Sequence, residues 1–183
     1  MGYVHKAGKD MSEIENRILD LLNAAGVKYQ LFEHEPVYTC PQAAEFLATD
    51  QNLIAKSMIM KGADSGCFLV VLPGKMRIDY GRLARVVGTK SVSLAPVEEA
   101  ERIAGCSVGC VHPFGNLIGL ETYFDNKLLG YEHLFFNPGS HTKSVKIATG
   151  VLIEIVKPTI NEFAEPARRR ETERKSHPIS CML

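Results

Sequence analysis

Apolar residues in this chain recur with two periods, and the switches between them mark out its elements. Over residues 12–25, Ile14, Ile18, Leu21, Leu22 and Ala25 fall on one face of a helix, and Gly26 suits its end. A two-residue alternation follows over 27–32. Val27, Tyr29 and Leu31 are set against Lys28 and Gln30, which predicts a strand facing the core through the first three. Pro36 ends that strand, and Pro41, tolerated in a first helical turn, opens a second helix over 41–48. Residues 52–61 form an apolar run interrupted by Lys56, read as a short helix entering a strand. Residues 67–72 predict a buried strand closed by the Pro73-Gly74 turn.

Further along, Asp79 is placed to cap a helix that runs to Val87 and stops at Gly88. A short strand is expected over 91–94 and a helix over 96–104, ended by Gly105. A glycine- and proline-rich loop over 109–115 precedes strands at 120–124, 133–136 and 144–148 and a helix at 150–156. After Pro158 the apolar pattern fades, and 166–175 gathers Arg168, Arg169, Arg170, Arg174 and Lys175. We therefore expect an N-terminal extension over 1–11, a domain over 12–157, and a polar, basic tail over 158–183. Helices and strands alternate without strict βαβ spacing, which favours a mixed α/β (α+β) single domain.

Composition narrows the function classes. The 183 residues suit one domain, and 45% hydrophobic with 23% charged residues is the mix of a globular protein. Lys plus Arg total 21 and Asp plus Glu total 21, a zero net charge that argues against a broad grip on duplex phosphates. Recognition of a single nucleotide end stays open, because one well-placed cation suffices for it. No apolar run approaches the roughly 18 to 20 residues that span a bilayer, so no membrane association is expected. Five cysteines without dense regular spacing argue against a disulfide framework and for a reducing, cytoplasmic location.

Three places carry candidate chemistry. Lys56 puts an ammonium inside an apolar run, which costs free energy unless its head reaches water or a partner. It is either a side chain snorkelling from a helix end or a cation at the lip of a pocket, waiting for an anion. In the loop from Gly109 to Gly115, glycine allows close backbone approach and Pro113 stiffens the bend. The loop is either a plain connection or a set of N–H donors for a developing oxyanion. The third place, Asn137-Pro138-Gly139-Ser140-His141, is a turn by default and a source of pocket hydrogen bonds otherwise. Ser140 and His141, adjacent in sequence, make a poor nucleophile–base pair. The spacing of Cys106, Cys110 and His112 matches no common zinc site, and no Walker loop, Rossmann fingerprint or His-Glu-x-x-His helix occurs. Neither a metal nor a cofactor is expected.

These features occur in order along one known family. The segments His34-Glu35-Pro36-Val37, Ala55-Lys56-Ser57-Met58-Ile59-Met60-Lys61 and Leu69 to Leu72 begin the series. It continues with Asp79-Tyr80-Gly81-Arg82-Leu83-Ala84, Gly109-Cys110-Val111-His112-Pro113-Phe114-Gly115, Phe136 to His141, and Lys143-Ser144-Val145. As an ordered set the chain resembles the YbaK/ProX/INS domains, which deacylate mischarged transfer RNA alone or within prolyl-tRNA synthetase. The resemblance implies a central mixed, partly barrel-like sheet flanked by helices, and a cleft for the acceptor end of mischarged transfer RNA. It implies catalytic roles for Lys56, Gly109 and Pro113. Substrate contacts would come from Ser57, Cys110, Val111, His112, Phe114, Gly115, Asn137, Gly139, Ser140 and His141. An aminoacyl-tRNA synthetase is an implied partner. Two other readings stay open: a non-catalytic module that holds RNA ends or a protein, and a hydrolase for a different small ester.

Overall fold

Helix α1, Met11–Ala24, buries Ile14, Ile18 and Leu22, whose four-residue spacing sets them on one stripe. The computed structural model describes residues 11–167, so residues 1–10 and the arginine run from Arg168 lie outside the described residues. Strand β1, Tyr29–Glu33, follows, then helix α2, Cys40–Phe46, whose N-cap Thr39 accepts a hydrogen bond from the Gln42 N–H at 3.4 Å. A 3-10 turn at Gln51–Leu53 leads into β2, Ala55–Gly62, so Lys56 stands on a strand and not at a helix end.

The apolar run after it becomes β3, Cys67–Pro73, in which every residue from Phe68 to Pro73 is buried. Such a strand must have apolar cover on both faces. Leu69 and Val71 join the larger core with α1 and the Gly109 loop, while Phe68, Val70 and Leu72 join a second core with Leu83 and Phe163. Strand β4, Met76–Ile78, then precedes α3, Tyr80–Val87, capped by the Asp79 carboxylate on the Arg82 N–H and closed by left-handed Gly88. Strand β5 is Val92–Leu94, and α4, Val97–Ala104, ends on left-handed Gly105. The remaining elements are β6 (Thr122–Asp125), β7 (His133–Phe136), β8 (Lys143–Ala148) and α5 (Thr149–Val156), then β9 (Thr159–Asn161) and β10 (Ala164–Pro166).

The described strands form three sheets. The central one is mixed, in the order β5-β2-β3-β6-β9; a second has the order β1-β8-β7, and β10 pairs with β4. The central sheet is not closed: β5 and β9 are its edges, and a single parallel bridge, Ile54 to Phe135, links the start of β2 to the second sheet.

Two expectations are corrected. Leu31 is 40% exposed, while Phe32 turns inward and packs on Phe135 with ring centroids 6.0 Å apart. As an edge strand, β1 is covered on its Phe32 side by the cluster of Val37, Ala43 and Ile54, so both faces are partly covered and the alternation misleads. The domain also continues beyond Lys157. Strand β9 pairs parallel with β6, β10 pairs antiparallel with β4, and Phe163 between them is fully buried. The Asp125 carboxylate, itself fully buried, accepts the N–H groups of Phe163 at 2.8 Å and Ala164 at 2.7 Å. Backbone pairing and one aromatic anchor hold this segment, so its polar side chains gave no sign of it.

Candidate active site

The site begins with an imbalance in how β2 is paired. On one side β2 meets β3 along nearly its whole length, from Ala55 opposite Pro73 to Lys61 opposite Cys67. On the other side β5 reaches only Met60 to Gly62, with one further bond from the Ala95 N–H to the Ile59 carbonyl at 3.0 Å. Residues 55–58 thus present an open edge. A cavity of about 270 Å³ lies along it, with Leu94 and Ala95 on one side and Asn137, just past β7, on another. Its wall is largely apolar, through residues such as Val37, Ile54, Ala55, Ile59 and Val111.

Lys56 sits on this edge. Its ammonium donates to the Met76 carbonyl at 2.5 Å and to the Gly74 carbonyl at 3.4 Å. Gly74 lies in the turn that joins β3 to β4 and Met76 opens β4, and the turn folds tightly against the start of β2. The Gly74 N–H donates to Ile54 at 2.8 Å, and a β-carbon on Gly74 would stand 2.6 Å from the Gln51 carbonyl oxygen. An ammonium has three donors, so two carbonyls fix its position and leave one direction for a ligand. Burial lowers the Lys56 pKa below the ordinary lysine value, against a smaller upward pull from Cys40. Burial likewise raises the Cys40 thiol, with Lys56 pulling it down. For each of the two, burial is the larger cause.

Opposite β2 lies the Gly109 loop. Gly109 takes φ +100°, and a β-carbon there would meet His141 Cε1 at 3.1 Å. Only glycine accepts both constraints easily. The Cys110 N–H is taken by the Ser107 carbonyl at 3.2 Å, whereas the N–H groups of Gly109 and Val111 have no hydrogen-bond partner among the described residues. His141 Nδ1 bonds the Val37 carbonyl at 2.9 Å, and its ring leans on Tyr38 with centroids 4.5 Å apart. Tyr38 is 59% exposed at the cavity's rim.

Of the residues expected from sequence, Lys56, Ser57, Gly109, Val111 and Asn137 meet in the cavity wall, and His141 borders it through Gly109 and Tyr38. The others lie outside the wall. Cys110, His112, Pro113, Phe114 and Gly115 are all buried in the protein interior. Phe114 packs edge-on against Phe136 at 5.3 Å, and His112 Nε2 bonds the Ala104 carbonyl at 3.3 Å. Burial lowers the His112 pKa to about 4, against a small upward pull from that carbonyl. Gly139 packs against α1, where a β-carbon would meet Ile14 Cγ2 at 2.7 Å, and Ser140 Oγ pairs with Thr142 Oγ1 at 3.0 Å. Ser140 and His141 therefore engage different partners and form no nucleophile–base pair. The loop reads as a ligand-facing segment because it is rich in glycine, yet its Cys110, Val111 and Phe114 side chains complete the core.

Tyr38, Thr39 and Cys40 line the cavity without having been singled out from the sequence. Pro41 marked a helix start beside them, but nothing local tells that this start is folded against Lys56. Among the described residues no three His, Cys, Asp or Glu side chains gather as a metal ion would require. No described helix is long and apolar enough to cross a membrane.

The mixed sheet is open-edged and holds a lysine at the lip of a small apolar cavity, and comparison with known proteins gives the family. The aminoacyl-tRNA editing domain model matches residues 34–155, more than half of the chain, and the chain belongs to that family. It is 28% identical over 160 residues to the multifunctional Ser/Thr-tRNA deacylase ProXp-y of Escherichia coli, covering 85% of this chain and 96% of that one. To the prolyl-tRNA editing protein ProX of Acetoanaerobium sticklandii it is 26% identical over 156 residues, covering 82% and 95%. A solved structure described as a candidate trans-editing enzyme for prolyl-tRNA synthetase matches with TM-score 0.74 at 25% identity, covering 83% of this chain and 97% of that one.

Proposed function

We propose that this chain is a trans-editing hydrolase that removes a small amino acid from the 3′ end of mischarged transfer RNA in the cytoplasm. The observation that carries this reading is Lys56. Its ammonium is held by two carbonyls at the open edge of β2, beside a small apolar cavity and opposite a loop with two N–H donors that have no partner among the described residues. In the proposed complex, the remaining Lys56 donor binds a phosphate of the terminal nucleotide and fixes the ester's orientation. The Gly109 and Val111 N–H groups receive the carbonyl oxygen as it gains charge, a contribution of about 2 to 4 kcal/mol per well-aimed donor. A water oxygen bonds to the ester carbon, the bond to the ribose oxygen breaks, and the ribose oxygen leaves with a proton. No protein nucleophile enters this sequence, in keeping with the separate partners of Ser140 and His141.

The limited volume of the cavity favours small amino acids. An aminoacyl-tRNA synthetase is the proposed partner that hands over the mischarged transfer RNA. The test is release of labelled amino acid from a panel of mischarged transfer RNAs, with uncharged transfer RNA as competitor. Turnover that the competitor suppresses supports the proposal. Turnover indifferent to it points to a different small ester, and a folded protein that binds without turnover points to a holding module.

A further inference from the structure

Lys56 and Ser57 are neighbours on β2 and so point to opposite faces of the sheet. Lys56 shares its face with Met58 and Met60. Ser57 shares its face with Ala55 and Ile59, which belong to the core and line the cavity together with Ala95, Ala100 and Val111. Within this apolar surround the Ser57 hydroxyl is buried and has no hydrogen-bond partner. The other polar side chains nearby are differently placed: Thr39 Oγ1 is occupied by the Gln42 N–H, and Asn137 Nδ2 donates to the Ser140 carbonyl. An unpaired buried hydroxyl is a cost to the folded protein that a ligand group can relieve.

We infer that Ser57 is the specificity-determining residue of the cavity, and that its hydroxyl pairs with a hydroxyl on the side chain of the esterified amino acid. The inference rests on the editing reading and names its substrate class: esters of hydroxylated small amino acids, serine or threonine, over methyl-bearing ones of similar size such as alanine. Size alone separates such pairs weakly, whereas a buried hydrogen-bonding group left unpaired by the wrong substrate separates them strongly.

The test compares kcat/KM for serine and alanine carried on the same transfer RNA, in the wild type and in Ser57→Ala. The wild type is expected to favour the serine ester, and Ser57→Ala to lower the serine-to-alanine ratio on the order of tenfold, the loss of one hydrogen bond. Thermal unfolding of Ser57→Ala is expected at an unchanged or higher temperature, because the substitution removes an unsatisfied hydroxyl; this separates a specificity effect from misfolding. Ser57→Thr, which keeps the hydroxyl, is expected to retain more of the ratio than Ser57→Ala. An unchanged ratio in Ser57→Ala, or an equal loss on both esters, overturns the inference while leaving editing intact. Wild-type protein that hydrolyses no ester overturns the editing reading and this inference with it.

Discussion

Gly109 and His141 interlock: the backbone of Gly109 passes so close to the imidazole that a β-carbon would lie 3.1 Å from Cε1. The Tyr38 ring also packs on His141, with centroids 4.5 Å apart, so Tyr38 and His141 together brace the start of the loop at the cavity. Gly109→Ala meets both this obstruction and a φ of +100°, a strain of about 1 to 3 kcal/mol. We expect kcat to fall at least tenfold with helical circular dichroism retained. Adding His141→Ala should relieve the contact but not the backbone strain, so the double variant should recover only part of the loss.

Activity should also fade at high pH earlier than an ordinary lysine allows. Burial holds the Lys56 pKa below 10.5, and the ammonium proposed to bind the substrate phosphate is lost as pH rises through that lowered value. The alkaline limb of kcat/KM, corrected for spontaneous ester hydrolysis, is expected below 10.5. For stability the sign is opposite. Between the lowered value and 10.5 the unfolded chain binds the extra proton, so this group's contribution to stability rises with pH.

His112 predicts an acid-side effect. Its folded pKa of about 4 lies below the ordinary 6.5, so between these values the unfolded chain is protonated and the native one is not. The stability it supports is complete above pH 6.5 and is lost as pH falls toward 4, a change of roughly 3 kcal/mol. Urea midpoints across this window should fall steeply in the wild type and more gently in His112→Gln.

Asp125 ties the C-terminal strands to the domain. Its carboxylate accepts the Phe163 and Ala164 N–H groups and that of Lys127 at 3.1 Å. Asp125→Ala leaves these donors unpaired and is expected to destabilise by about 3 kcal/mol or more, read from urea unfolding. A chain ending at Lys157 should be destabilised further, because it also loses Phe163 from the second core.

The elements legible in the sequence are those whose signals are local. The Ile14, Ile18, Leu22 stripe, the Asp79 cap with Gly88, and the unbroken apolar run of β3 each carry their structure within a few residues. What escaped depends on partners far along the chain. Strands β9 and β10 are held by pairing with β6 and β4 and by Asp125, none of which marks the sequence around Thr159 or Ala164. Lys56 stood out because a charge in an apolar run is anomalous by itself. That the Gly74 and Met76 carbonyls hold it, and that Cys40 flanks it, follows only from how the β3–β4 turn packs against α2. The Gly109 loop shows the opposite failure, since glycine content marks close approach without saying whether ligand or core is approached.

The most direct test of the account removes the Lys56 ammonium. Amino acid release from mischarged transfer RNA should be compared between wild type and Lys56→Ala, with circular dichroism confirming that both are folded. The account predicts turnover by the wild type and a loss on the order of a hundredfold or more in the variant, the cost of a misplaced ester. A folded Lys56→Ala that hydrolyses the same esters at the wild-type rate would contradict it.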